Sequence, residues 1–324
     1  MANALRYVDG FIRDRGRIID QIKKGENPGR FFLASLAMFL IFTCVYGLVM
    51  GSFRWFQPLL FFSDYVVEGM TTQTSGIVDS MDASSMTVTC KGLKPDPALS
   101  GRGIRFNRTS PTPAYTIVKA ESIDGGAKLT LQGPPMVPKD PWKFAVFSAL
   151  KVPALFLVTL LVCLPALYVL NIALGWHLRF SPTAAVLMTG LASTSVMLIV
   201  LAPIVLFFTV LTDNYHFMKI LNVLVFMISG AYGLQSVAIG LKGLHDVSGG
   251  DPGLITQAVT SYRVGKLLLV WFLLYMFVGC QMAWTLRPFI GTPYLSEFAI
   301  IRTGSSNFYV NILGSLSELG DTRR

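Results

Sequence analysis

Residues able to do chemistry are few in this 324-residue chain, and they stand far apart. His177, His216 and His245 are its only histidines, and none has a cysteine or carboxylate at the spacing characteristic of a metal site. A GxxxxGK-type phosphate loop, a GxSxG nucleophile elbow and an HExxH helix are all absent. Gly249-Gly250-Asp251-Pro252-Gly253 reads as a flexible turn, so ATP-driven work by this chain alone is not expected. Of the four cysteines, Cys44, Cys163 and Cys280 fall in apolar stretches and only Cys90 lies outside, which implies no intrachain disulfide in the soluble part. The expectation is a protein that is not an enzyme, with no catalytic residue, no metal and no cofactor.

Deep polar groups form the second set of candidates. Asn171, Asn222, Gln235 and Gln281, with Thr159, Ser193, Thr194 and Ser195, sit inside apolar stretches that hold no Asp or Glu. Such groups either join helices by hydrogen bonds worth about 0.6 to 2 kcal/mol or line a polar path for a neutral solute. They share no single stripe, which favours joining, and without buried carboxylates proton-coupled transport is not expected. Arg287, beside Trp284 and with its exit fixed by Pro288, is the candidate functional charge. It either grips a lipid phosphate or a partner carboxylate bidentately or anchors a helix at the interface. Lys151 sits at one end of its apolar stretch, where its stem can snorkel toward headgroups.

The elements that must position these groups are membrane helices. Apolar residues make up 52% of the chain and charged residues 14%, and mean hydropathy is +0.56, which together exclude an ordinary soluble globular protein. The formal charge of +9 would suggest nucleic acid in a soluble chain, but here the basic residues gather beside apolar stretches, where anionic lipid and the insertion machinery read them. A lipid bilayer is the expected partner, and nucleic acid is not. The class is an α-helical polytopic membrane protein of about five transmembrane helices, with a small all-β domain inserted between spans one and two.

Residues 1–28 lack a signal peptide's short apolar core and cleavage site. Leu5, Val8, Phe11 or Ile12, Ile18 or Ile19, and Ile22 recur at helical spacing, with Arg6, Arg13, Arg17, Lys23 and Lys24 on the polar side, the pattern of an amphipathic cytoplasmic helix. It lies in the membrane interface or packs on the protein's own cytoplasmic loops. Residues 30–62 contain span one, from Phe31 to Gly51, and an interfacial or re-entrant turn through Leu59 to Phe62. Residues 64–142 shift to Ser, Thr, Gly, Pro and Asp with short β-prone runs, and Asp124-Gly125-Gly126 marks a hairpin. A partly open barrel or a sandwich is predicted there. Its Arg102, Arg105 and Arg108 read as a solvated strand edge rather than a lipid or polymer contact.

Residues 143–286 carry spans two to five. The run Ala149 to Gly175 is long enough to cross a hydrocarbon core of about 30 Å and contains Pro153 and Pro165, which predict a kinked, packed helix. Span three runs from Pro182 to Leu211, span four from Phe217 to Leu241, and span five from Lys266 to Leu286, with a polar loop from Lys242 to Tyr262. In span four, Gly230, Gly233, Ser236 and Gly240 are spaced three, three and four apart, predicting a face where another backbone comes close. In the tail, 287–324, Phe308, Ile312, Leu313 and Leu316 make one short apolar face, predicted to rest on the membrane surface as an interfacial helix.

Seven Lys or Arg precede span one, against Lys219 alone by the turn between spans three and four, which places the N-terminus in the cytoplasm. Five spans then put the β-domain and C-terminus on the opposite side, in what reads as a bacterial inner membrane.

Asn27-Pro28 before span one, Lys151-Val152-Pro153, Thr159, Cys163-Leu164-Pro165, Tyr168 and Asn171, and the run Gln281-Met282-Ala283-Trp284 resemble the Yip1-like group of multi-pass proteins. Leu286-Arg287-Pro288-Phe289-Ile290-Gly291 extends the likeness, which covers residues 27–52 and 143–309 and is nearest to bacterial members without assigned activity. The inserted β-domain departs from the compact pattern of that group, and the resemblance brings no catalytic residue. With much interaction surface and no reaction centre, the first expectation is a non-enzymatic membrane scaffold or accessory subunit that assembles with a membrane-protein partner or with itself. The other expectation is a channel or passive transporter for a small solute or lipid, lined by Asn171, Asn222, Gln235 and Gln281.

Overall fold

The computed structural model describes residues 20–21, 28–56, 64–68, 74–94, 96–106, 115–133, 141–173, 180–212, 215–248, 254–286 and 308–321. Backbone groups in lipid must be satisfied within the segment, and the long apolar runs do this as helices. These are α1 (Pro28–Gly51), α2 (Pro141–Ala173), α3 (Phe180–Leu211), α4 (Tyr215–Ser248) and α5 (Leu254–Leu286), followed by a shorter α6 (Phe308–Asp321). Among the described residues, five stretches are long and apolar enough to cross a membrane: Gly29–Gly51, Trp142–Val169, Phe180–Leu211, His216–Leu241 and Leu269–Leu286. The chain is an integral, multi-pass α-helical membrane protein.

Close approaches between helices fix their directions. A Cβ at Gly47 would fall 2.6 Å from Ala149 Cα, and one at Gly51 2.5 Å from Ala145 Cα, so α1 and α2 run antiparallel. Gly190 of α3 faces Gly233 and Val237 of α4, while Val186 faces Gly240, again antiparallel. On α5, Trp271 Nε1 donates to the Cys163 carbonyl of α2 at 3.0 Å and Gly279 lies against Thr159, so this pair is antiparallel too. The direction therefore alternates across these pairs, and the segment between α1 and α2 emerges at the end where Gly51 and Ala145 meet.

That segment is a closed six-stranded barrel, not a partly open one or a sandwich. Its strands are β1 (Asp64–Val67), β2 (Thr74–Asp82), β3 (Thr87–Lys91), β4 (Gly103–Phe106), β5 (Tyr115–Ile123) and β6 (Gly126–Gln132), in the order β1-β2-β3-β6-β5-β4. Closure comes from β1, a strand too short to stand out in the sequence, which pairs antiparallel with β2 on one side and β4 on the other. Register shifts at Asp79 and Val118 bend β2 and β5, and an extra residue of this kind sharpens strand twist. Alternation sends Val88, Cys90, Ile104, Phe106, Tyr115, Ile117, Leu129 and Leu131 inward, with Tyr65 and Val67 of β1. Burial pushes the Cys90 thiol up to about 12, so it behaves as an apolar filler. Gly125 takes φ +85 in the β5–β6 turn, where a side chain would be strained.

The stretch expected as a polar loop, Lys242 to Tyr262, is helical up to Ser248 and again from Leu254. Leaving hydrocarbon does not end a helix, an isolated Gly243 is tolerated, and the breakers Gly249, Gly250, Pro252 and Gly253 come later. Of the N-terminal amphipathic helix only Asp20 and Gln21 are among the described residues, and the turn through Leu59 to Phe62 lies outside them.

Candidate functional site

The most fully built polar arrangement among the described residues joins α1 to α4. Tyr46 sits one turn before the end of α1 and Asn222 two turns into α4, so antiparallel neighbours bring them to one level. The Tyr46 hydroxyl donates to Asn222 Oδ1 at 2.8 Å, and Asn222 Nδ2 donates to the Met218 carbonyl at 2.8 Å. Both side chains are 0% exposed. An amide in a membrane interior must find partners, because an unpaired one costs about 1 to 3 kcal/mol. Here the interhelical hydrogen bond supplies one.

Aromatic rings enclose this junction. Phe226 of α4 packs on Tyr46 at 5.5 Å between centroids and on Phe156 of α2 at 5.7 Å, and Phe156 meets Phe39 of α1 at 6.1 Å. Edge-on ring pairs contribute about 0.5 to 1.5 kcal/mol beyond their area. Three helices thus meet at large side chains around one hydrogen bond.

Along α4, Lys219, Asn222, Ser229, Gly233, Ser236 and Gly240 are buried and Phe226 is half-buried, at alternating steps of three and four, with Met218, Val225, Val237 and Leu241 buried beside them. Steps of that kind keep one seam against a neighbouring helix. A Cβ at Gly233 would run into the Thr194 hydroxyl and lie 2.7 Å from the Gly190 carbonyl oxygen, and one at Gly240 would enter Val186. Ser236 is buried with them. Gly230 is off the seam, with no atom within 4 Å of its would-be Cβ, and the buried Ser229 takes that level instead.

The remaining candidates are dispersed. Gln235 is exposed on α4, Gln281 is half-buried on α5, and the side chain of Asn171 lies outside the described residues. Gln235, exposed, does not share the enclosed site of Asn222. Trp284 and Lys151 are each half-buried, on α5 and α2, and Arg287 lies outside the described residues. The hydroxyls of Thr159, Ser193, Thr194 and Ser195 each donate to a carbonyl three or four residues back in their own helix. In the barrel, Arg105 pairs with Glu68 and Arg102 Nε donates to the Ala98 carbonyl at 2.8 Å, so both serve local structure. Among the described residues no group of three His, Cys, Asp or Glu is placed to hold a metal ion.

Two features escape a reading by residue type. Lys219, counted only as a loop charge, is 8% exposed within the fourth candidate span. Gly47 and Gly51 form a GxxxG pair that lets α1 touch the backbone of α2, and the spacing of four was its visible signal. Compared with family models, curated proteins and solved structures, the chain matches none.

Proposed function

We propose that this chain is a non-enzymatic membrane scaffold or accessory subunit that presents its β-barrel, on one side of the membrane, to a protein partner or a second copy of itself. The observation that carries this reading is the fate of Asn222. Its amide is spent on Tyr46 and on its own helix, so the deepest candidate for a solute path holds helices together instead. The buried hydroxyls, turned back onto their own helices, support the same reading. A route for a neutral solute needs its amides on one wall, whereas Gln235 is exposed and Asn222 enclosed.

In this proposal the seven basic residues ahead of Phe31 hold the N-terminus in the cytoplasm, and the barrel stands on the opposite side of a bacterial inner membrane. The kinship with Yip1-like proteins belongs to the proposal and rests on the residues quoted for it, with no catalytic role attached. Arg287 and Trp284 would meet lipid or partner at the end of α5. Flux measurements on the full chain in liposomes test the reading. Leakage of ions and small neutral solutes equal to that of empty vesicles is expected. A saturable flux lost in Asn222→Leu would favour the channel or passive transporter instead.

A further inference from the structure

The short helix α6 is read from sequence as lying on the membrane surface, yet its first turn is docked at the middle of the fifth candidate span. Tyr309 stacks on Phe277, with ring centroids 6.2 Å apart and planes 23° from parallel. Phe277 is eleven residues from Lys266 and nine from Leu286, the bounds of the apolar run in the sequence. At about 1.5 Å per residue, it lies roughly 14 to 17 Å from either end.

We infer that α6 is a membrane-embedded half-span whose outer face is covered by lipid acyl chains. Its 14 residues extend about 21 Å, too short for a core of about 30 Å but long enough to run from the middle to one face. The outward residues of α5, Leu273, Met276 and Phe277, are exposed on the bundle, and Val310, Leu313 and Leu316 of α6 continue that apolar surface. Ser315 is buried and turned away from it. In water such a stripe would be costly, at about 25 cal/mol for each Å² left wet. At the depth fixed by Phe277, hydrocarbon is the solvent that meets it.

The test uses the full chain in liposomes and N-ethylmaleimide, which reaches both faces but reacts with thiols that meet water. Three single variants, Leu313→Cys, Leu273→Cys and Ile77→Cys, replace side chains that are already exposed, and peptide mass spectrometry separates them from the native cysteines. Leu313→Cys is expected to react at least 10-fold more slowly than Ile77→Cys on the barrel, at a rate like Leu273→Cys, until the liposomes are dissolved. A rate equal to that of Ile77→Cys with Leu273→Cys still protected would overturn the half-span alone. Rapid reaction of Leu273→Cys as well would overturn the fifth span with it. The scaffold proposal does not depend on either result.

Discussion

Tyr46 and Asn222, 176 residues apart in the chain, meet in a 2.8 Å hydrogen bond that is closed off from solvent on every side. Helices in lipid gain nothing from hiding apolar surface from each other, so packing and hydrogen bonds of this kind decide which neighbours they choose. The bond sets α4 against α1 at one height, and the rings of Phe226 and Phe156 bring in α2.

Removing either partner strands the other. Tyr46→Phe leaves Oδ1 of Asn222 without its donor, and Asn222→Leu leaves the Tyr46 hydroxyl without an acceptor. Thermal unfolding in detergent should show both variants destabilised. The double variant should lose less than the sum, with a coupling of about 0.6 to 2 kcal/mol. Additive losses would mean that the bond contributes nothing to stability.

Two glycines of α4 should respond in opposite ways. Gly233→Ala drives a methyl group into Thr194 and the Gly190 backbone, and overpacking of this sort costs about 1 to 3 kcal/mol. Gly230→Ala meets open space and gains up to about 1 kcal/mol of helix propensity. The melting temperature should fall for the first and hold or rise for the second. An equal fall in both would place Gly230 on the seam after all.

In the β2–β3 hairpin, hydrogen bonds from Ser84 and Ser85 hold the Asp82 carboxyl down at about 2. The side chains of Ser84 and Ser85 and the Ser84 amide all donate to it. Its folded value is below the ordinary one of about 3.9, so the charged form stabilises the turn above about pH 4, and that contribution is lost as pH falls through 2. Carboxyl NMR of isotope-labelled full chain in micelles should therefore find Asp82 titrating near 2. In the Ser84→Ala, Ser85→Ala variant the midpoint should rise toward 4. An unchanged midpoint would rule out hydrogen bonding as the cause.

Long apolar runs made the membrane helices legible, because such a run has one stable conformation in lipid, but not their starts: α2 begins at Pro141 and α5 at Leu254, ahead of the runs from Ala149 and Lys266. The hairpin at Gly125 was legible for a similar reason, since few residues tolerate its backbone. Closure of the barrel was not, because β1 is four residues long and acquires its meaning only from β2 and β4 on either side. The seam of α4 was half legible. Counting glycines gave Gly233 and Gly240 but drew in Gly230, whereas alternating steps of three and four lead to Ser229 and back to Asn222 and Lys219. That Asn222 would find Tyr46 could not be read at all, as nothing local in either helix specifies the other.

The central claim is that this chain acts by assembly. The most direct measurement is cross-linking in intact native membranes through the exposed barrel lysines Lys91, Lys94 and Lys128, followed by mass analysis of the purified product. One discrete complex larger than the 35.6 kDa chain is expected, with a second protein or a second copy joined at the barrel in constant ratio. A product that remains at the mass of the single chain, from membranes where the protein also carries a solute flux, would contradict it.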